Sequence, residues 1–243
     1  VCIAYGQIIP KAVLDLFPRG VLNIHPSLLP KYRGPSPIQS AIVSGDNETG
    51  VTIMRLDEET DHGPILAQKK VPITHVAKSY AAAHDFATDT GSALLKKLSQ
   101  IGAEFIVQTI PKWMAGEIRP QPQDHVKATF TKILEREDGR IDWNKPAEYI
   151  ERQVRAYDLW PGTFTMWNGK RLKILRASLL HPTIGCAGNA TPGYVWKIAD
   201  GRLAVNCNPG AIIFGELQLE GKKIMTAEEF PRGYPKVIGS ILA

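Results

Sequence analysis

The feature that most restricts how this 243-residue chain can fold is a change of punctuation near its middle. Residues 116–124, GEIRPQPQD, hold two prolines and no apolar periodicity, which marks a linker. Before it, helical and strand-like patterns alternate. Helices are expected over 11–17, 38–44 and 79–99, and strands over 21–25, 51–56 and 65–71. After it comes one helix over 146–157, with Pro146 in its first turn and Asn144 as a candidate cap. Short apolar runs follow at 162–167, 170–178, 193–198, 202–207, 212–217 and 216–219. Asn168-Gly169 between the first two runs is a hairpin signal. The first pattern suits an α/β sheet whose strands need not all be parallel, and the second a small β-barrel. The expected organisation is an α/β domain over 1–115, a linker over 116–128 and a β domain over 129–243.

Charge follows the same division. The net charge is +5, yet residues 1–124 carry 12 Lys and Arg against 12 Asp and Glu, leaving 17 against 12 for the remainder. A neutral half joined to a basic half suits a second domain that meets an anionic partner, although charge alone fits an ordinary basic surface equally well. With 44% hydrophobic and 22% charged residues, disorder, collagen and coiled coil are excluded. No apolar run approaches the roughly 20 residues that span a bilayer, and no signal peptide is apparent. A cytoplasmic protein without membrane attachment is expected. Cys2, Cys186 and Cys207 are odd in number and widely spaced, so buried thiols are expected rather than disulfides or a zinc site. The chain opens at Val1, without Met, in what reads as a buried strand leading to a turn at Gly6. A missing upstream segment is expected from this.

Asn23 and His25 stand at the carboxyl end of the strand over 21–25, and alternation places them on one side of it. That edge is where open α/β sheets bind ligands. Asp61 lies in the acidic loop over 57–63 that follows the strand over 51–56. A carboxylate within reach of the imidazole would fix its tautomer and favour its charged form. The trio is a candidate acid/base and oxyanion site. Taken alone, a single His fits a satisfied core residue just as well.

The string Asn23-Ile-His-Pro-Ser-Leu-Leu-Pro-Lys-Tyr-Arg-Gly34, with Gly50-Val-Thr-Ile and Asp61-His-Gly-Pro-Ile-Leu66, closely resembles the folate-dependent formyltransferase family. The resemblance continues through Ile141-Asp-Trp143, Arg155-Ala-Tyr157, Trp160-Pro-Gly162, Asn168-Gly-Lys-Arg-Leu-Lys173, Leu217-Gln-Leu-Glu-Gly-Lys-Lys223 and Ala227-Glu-Glu-Phe230. These downstream segments are similar to the branch of the family that acts on initiator tRNA. What the resemblance implies is a partial Rossmann-like domain, lacking its N-terminal strands, followed by an OB-like β-barrel. It also implies that 10-formyltetrahydrofolate is the co-substrate, methionyl-initiator tRNA the acceptor, and that no metal takes part. In this scheme Asn23 and His25 donate to the oxyanion, while Asp61 orients His25 and helps move a proton. Tyr5, Gly6, Gln7, Ile8, Ile9, Ser27, Leu28, Leu29, Pro30 and Asp57 hold the folate. His62 stands where the family more usually has Thr, and is read as a tolerated loop residue.

Arg171 and Lys173 alternate with apolar residues on one strand, and Arg152 and Arg155 lie three apart on the helix, so each pair shares a face. Spaced cations suit phosphates, and with Arg33 these four are the expected tRNA contacts. Trp143, Trp160 and Trp167 read as core residues rather than base-stacking platforms. A monomer is expected. Two other readings remain: a formyltransferase whose acceptor is the amine of a sugar nucleotide or a ribosylamine, and an inactive fragment that only binds RNA.

Overall fold

The computed structural model describes residues 1–74, 89–181 and 191–243. Cys186 and the first part of the helix expected over 79–99 lie outside the described residues. The described chain forms two compact units. One comprises Val1–Ala41, Asp46–Thr74 and Ser92–Ile133, and the other Leu134–Ala243 together with Ile42–Gly45.

In the first unit, β1 (Leu22–His25), β2 (Glu48–Arg55) and β3 (Ile65–Pro72) form an antiparallel sheet in that order. β2 lies in the middle. Its residues Val51, Thr52, Ile53 and Met54 are all fully buried, and a strand covered on both faces shows no in-out alternation. Two short helices, α1 (Lys11–Leu14) and α2 (Pro37–Ser44), flank β1 in sequence. The long helix α3 (Gly91–Met114) brings Ile106 against Leu22, Ile53 and Leu66. It runs well beyond residue 99, through both Gly102 and Pro111. Gly102 has a packing reason, because a Cβ there would press to 3.0 Å from Ile24 Cγ2 in the sheet.

Two stretches depart from the sequence expectation. Residues 1–10 do not form a buried strand. Cys2 makes a single parallel bridge to Asn23, while Val1, Ile3, Tyr5 and Ile8 are exposed, since no described layer covers them. The stretch read as a linker is docked along the first unit, where Gln121 exchanges both backbone hydrogen bonds with Ile65 at 2.8 Å, and just beyond the stretch Phe130 bridges to Arg33. Its prolines forbid a central strand and still permit this edge pairing.

In the second unit, α4 (Ala147–Ala156) follows Pro146, and Asn144 instead donates its N–H to the Asp142 carboxylate at 3.0 Å. Among the described residues six antiparallel strands follow: β4 (Thr163–Trp167), β5 (Lys170–Leu179), β6 (Val195–Lys197), β7 (Leu203–Asn206), β8 (Ala211–Leu219) and β9 (Met225–Thr226). Their order is β4-β5-β8-β7-β6, with β9 beside β8, so the runs 212–217 and 216–219 are a single strand. The hairpin between β4 and β5 turns on Asn168 and Gly169, whose φ angles of +49° and +71° match a type I′ turn. Ile150 and Val154 of α4 close the core against Leu172, Ile174, Val205, Phe214 and Leu217. The helix α5 (Phe230–Gly233) adds Phe230, edge-on to Trp167. Trp143 and Trp167 are buried as expected. Trp160 is not, being 48% exposed with its indole N–H donated to the Leu134 carbonyl. Cys207 is buried and Cys2 is half-buried. No described helix is long and apolar enough to cross a membrane.

Gly50 of β2 has no room for a side chain: a Cβ would collide with Leu28 and with the Lys69 carbonyl. Gly50→Ala is therefore expected to lower the unfolding free energy by roughly 1–3 kcal/mol. Urea denaturation would show this as a lower midpoint at an unchanged slope, and an unchanged midpoint would refute the close approach.

Candidate active site

Beyond His25 the chain turns at Pro26 into an irregular loop whose backbone groups must find partners outside any ladder. They find them in β2 and β3. The Thr52 hydroxyl donates to the Ser27 carbonyl at 2.6 Å and accepts the Leu29 N–H at 3.2 Å. Gln68 donates to the Leu29 carbonyl at 2.8 Å and to Thr52 Oγ1 at 2.9 Å. Ser27, fully buried, closes the loop on itself by donating to the Lys31 carbonyl at 2.6 Å. Neither Thr52 nor Gln68 stands out in the sequence, because a polar residue inside a strand pattern gives no sign of the loop it serves.

The loop carries a backbone carbonyl to His25. Tyr32 adopts φ +62°, and its hydroxyl is anchored on Asp46 at 2.9 Å, beside Lys31 at 2.6 Å from the same carboxylate oxygen. Burial opposes the Lys31 charge, but hydrogen bonds to Asp46 and Tyr32 hold its ammonium above the usual lysine range. His25 is 4% exposed, and its Nε2 lies 2.9 Å from the Tyr32 carbonyl oxygen. A carbonyl only accepts, so Nε2 carries the hydrogen of that bond. The remaining nitrogen, Nδ1, faces Asp61 Oδ2 at 3.5 Å.

Asp61 has φ +47°, a left-handed conformation that a non-glycine residue keeps only where its surroundings hold it. Its Oδ2 accepts the Gly34 N–H at 2.8 Å and its Oδ1 lies 3.4 Å from Asn23 Nδ2. Asn23, His25 and Asp61 thus converge, with Asp61 at the centre. Gly63 follows two residues later, where a Cβ would collide with the Arg55 carbonyl. Behind the turn stands Gln123, which the sequence hides within an apparent linker. Its amide donates to the carbonyls of Asp61 and Gly63 at 2.8 and 2.7 Å.

Gly34 also belongs to the wall of an open cleft of about 530 Å³, with Ile8, Pro35, Glu58, Thr60 and Phe130 among its other residues. That volume lies in the range of small-ligand sites. Of the residues expected to hold folate, Ile8 reaches this wall. Tyr5, Gly6 and Gln7 are exposed and Ile9 is half-buried. Leu28 and Pro30 are half-buried, while Ser27 and Leu29 are buried in the loop. The Asp57 carboxylate accepts from His62 Nδ1 at 2.6 Å and from the Glu59 N–H at 3.1 Å. His62 stacks on His125 with ring centroids 4.1 Å apart, so its role here is to brace the loop. Among the described residues no cluster of His, Cys, Asp or Glu is placed to hold a metal ion.

Two of the expected tRNA contacts need correcting. Arg33 is 3% exposed, and its Nε and Nη2 are spent on Gln123 Oε1 at 3.1 and 2.8 Å. Arg155 is 8% exposed, paired with Glu151 at 2.6 Å and donating to the Asp89 carbonyl at 2.9 Å. Helical spacing correctly places Arg155 near Arg152 but cannot tell that this side of α4 turns inward. Arg152 is half-buried and donates to the Val43 carbonyl at 2.9 Å. Arg171 lies 4.1 Å over the Phe164 ring and 3.4 Å from Glu137, whereas Lys173 is exposed on the same face of β5.

Comparison with known proteins agrees with this architecture. A family model described as formyl transferase matches residues 1–98, and one described as formyl transferase, C-terminal domain, matches residues 133–235. Methionyl-tRNA formyltransferases of Roseiflexus sp. (strain RS-1) and Roseiflexus castenholzii are each 46% identical to it over 230 residues, covering 95% of this chain. The chain spans about two thirds of their length, 66% and 68% respectively. A crystal structure of HypX from Aquifex aeolicus in complex with tetrahydrofolic acid superposes with a TM-score of 0.61 at 22% identity, over 96% of this chain and 38% of that one, a likeness of fold. On the strength of both domain matches and of relatives at this identity, the chain belongs to the formyltransferase family, on its methionyl-tRNA formyltransferase branch.

Proposed function

We propose that the chain contributes the catalytic and RNA-binding parts of an enzyme that moves the formyl group of 10-formyltetrahydrofolate onto the amino group of methionyl-initiator tRNA. The observation that carries this reading is the convergence of Asn23 and His25 on the Asp61 carboxylate, in a chain whose relatives bear that enzyme's name.

The acceptor needs little activation. A free α-amine has a pKa of roughly 7.7–8.0, so a useful fraction is unprotonated and nucleophilic at neutral pH. Its attack on the formyl carbon forms a C–N bond and places negative charge on the formyl oxygen. Asn23 Nδ2 is one donor for that oxygen, and His25, whose Nε2 hydrogen is held by the Tyr32 carbonyl, donates from Nδ1 in its imidazolium form. Each such donor is worth on the order of 10²–10³ in rate. Asp61, beside both donors, takes the proton of the attacking amine and passes it, directly or through water, to the folate nitrogen as the old C–N bond breaks. Tetrahydrofolate and the formylated amine are the products, with no net consumption of acid or base by the protein.

We assign the chemistry to the first unit, which runs to Ile133, and tRNA binding to the second, Leu134–Ala243. Lys173, exposed on β5, is the leading phosphate contact, with Arg171 beside it and Arg152 on α4. The enzyme acts in the cytoplasm as a monomer.

In the full-length gene product, His25→Ala and Asp61→Asn are expected to lower formyl transfer by about 10²–10³-fold. Affinity for tRNA should stay within about twofold, since neither residue meets a phosphate. Transfer assays with charged initiator tRNA beside a UDP-aminosugar test the acceptor, and preferential formylation of the sugar would overturn it. Reversing the charges of Arg171 and Lys173 should flatten the dependence of log affinity on log salt by about 0.7–0.9 for each phosphate that is no longer neutralised. A slope equal to that of the parent would remove those two residues from the interface.

A further inference from the structure

Gln123 has no part in the chemistry just described, yet it occupies a singular position behind it. It is 5% exposed, and its two amide hydrogens go to the backbone carbonyls of Asp61 and Gly63, either side of residue 62. Its Oε1 accepts from Arg33 Nε and Nη2, and Arg33 immediately precedes the Gly34 whose N–H binds the Asp61 carboxylate. Arg33 Nη2 also meets His125 Nδ1 at 2.8 Å. The orientation of the Gln123 amide follows from its partners: carbonyls only accept, and a guanidinium only donates. One side chain therefore ties together the two segments that bracket Asp61.

Asp61 needs such a tie. At φ +47° its backbone is strained, and relaxing that strain would swing the carboxylate away from His25 Nδ1, which lies 3.5 Å off. Gln123 is itself well anchored, two residues beyond the paired Ile65–Gln121 bridge. From this geometry we infer that Gln123 is a positioning residue for Asp61, supplied by the segment that sequence reading takes for a linker. It acts on the reaction through Asp61 alone. The inference rests on the proposed role of Asp61, and its test separates the two.

Gln123→Glu is the informative variant. It preserves an acceptor for buried Arg33 while removing both donors from the Asp61 and Gly63 carbonyls. A misplacement near 1 Å costs up to about 10²-fold, so kcat for formyl transfer in the full-length gene product is expected to fall about 10- to 100-fold. The KM values for folate and tRNA should move less than about threefold, as for a group that acts only on the transition state. The NMR titration curve of the His25 imidazole is the deciding readout. A curve displaced from that of the parent in the uncharged Gln123→Asn variant, where no added carboxylate can shift it by its own charge, supports the positioning role, and a superimposable one there overturns it whatever happens to kcat. If the parent itself transfers no formyl group, the functional reading fails while the titration still judges the positioning claim. Gln123→Asn keeps both chemistries with one methylene less of reach, and its curve decides even should Gln123→Glu not fold.

Discussion

The Asp61 carboxylate is the point at which two irregular segments become one site. Neither the loop after β1 nor the turn after β2 has a regular hydrogen-bond ladder to hold it. One oxygen accepts the Gly34 N–H and the other faces Asn23, so both segments are registered against the same two atoms. His25 is then held from opposite sides, by the Tyr32 carbonyl and by Asp61. An imidazole so placed has one nitrogen fixed by structure and the other left to chemistry. Charge and hydrogen bonding thus do at this edge of the sheet what packing does in its centre.

The same economy explains why cations are a poor guide here when read from sequence. Arg33 and Arg155 contribute to the formal charge of the chain but are consumed inside it, one by Gln123 and the other by Glu151. Burying a charge is tolerable only when it is paired and hydrogen-bonded. Arg155 meets it through Glu151, whereas Arg33 is held by hydrogen bonds to the Gln123 amide oxygen and His125. Arg33 lies in the neutral half and Arg155 is offset by Glu151, so the excess of 17 over 12 rests with other cations, the exposed Lys173 among them.

How much is legible in the sequence depends on whether a signal is local. The Asn168-Gly169 hairpin, the strand carrying Asn23 and His25, and the buried Trp143 and Trp167 follow from spacing and turn chemistry, and the structure has them. The end of α3 is misplaced in such a reading because Gly102 and Pro111 look like breakers until the sheet that Gly102 lies against is seen. Thr52, Gln68 and Gln123 are invisible for a deeper reason. Each satisfies a backbone group far along the chain, and no periodic pattern encodes a partner 25, 39 or 62 residues away. Burial is equally hidden for Arg155, whose helical face is readable from sequence but whose inward orientation is a tertiary fact.

The docking of residues 121–131 has a consequence for the timing of synthesis. Arg33 and Ser36 are paired with Gln123, Thr129 and Thr131, more than 89 residues downstream. Contacts of such long sequence separation form late, after the loop-closure entropy of the intervening chain has been overcome. A nascent chain emerging from the ribosome would carry Asn23, His25 and Asp61 long before it could hold them in register. The site would become competent only once the segment behind it had also emerged, which ties the appearance of activity to the completion of the first unit.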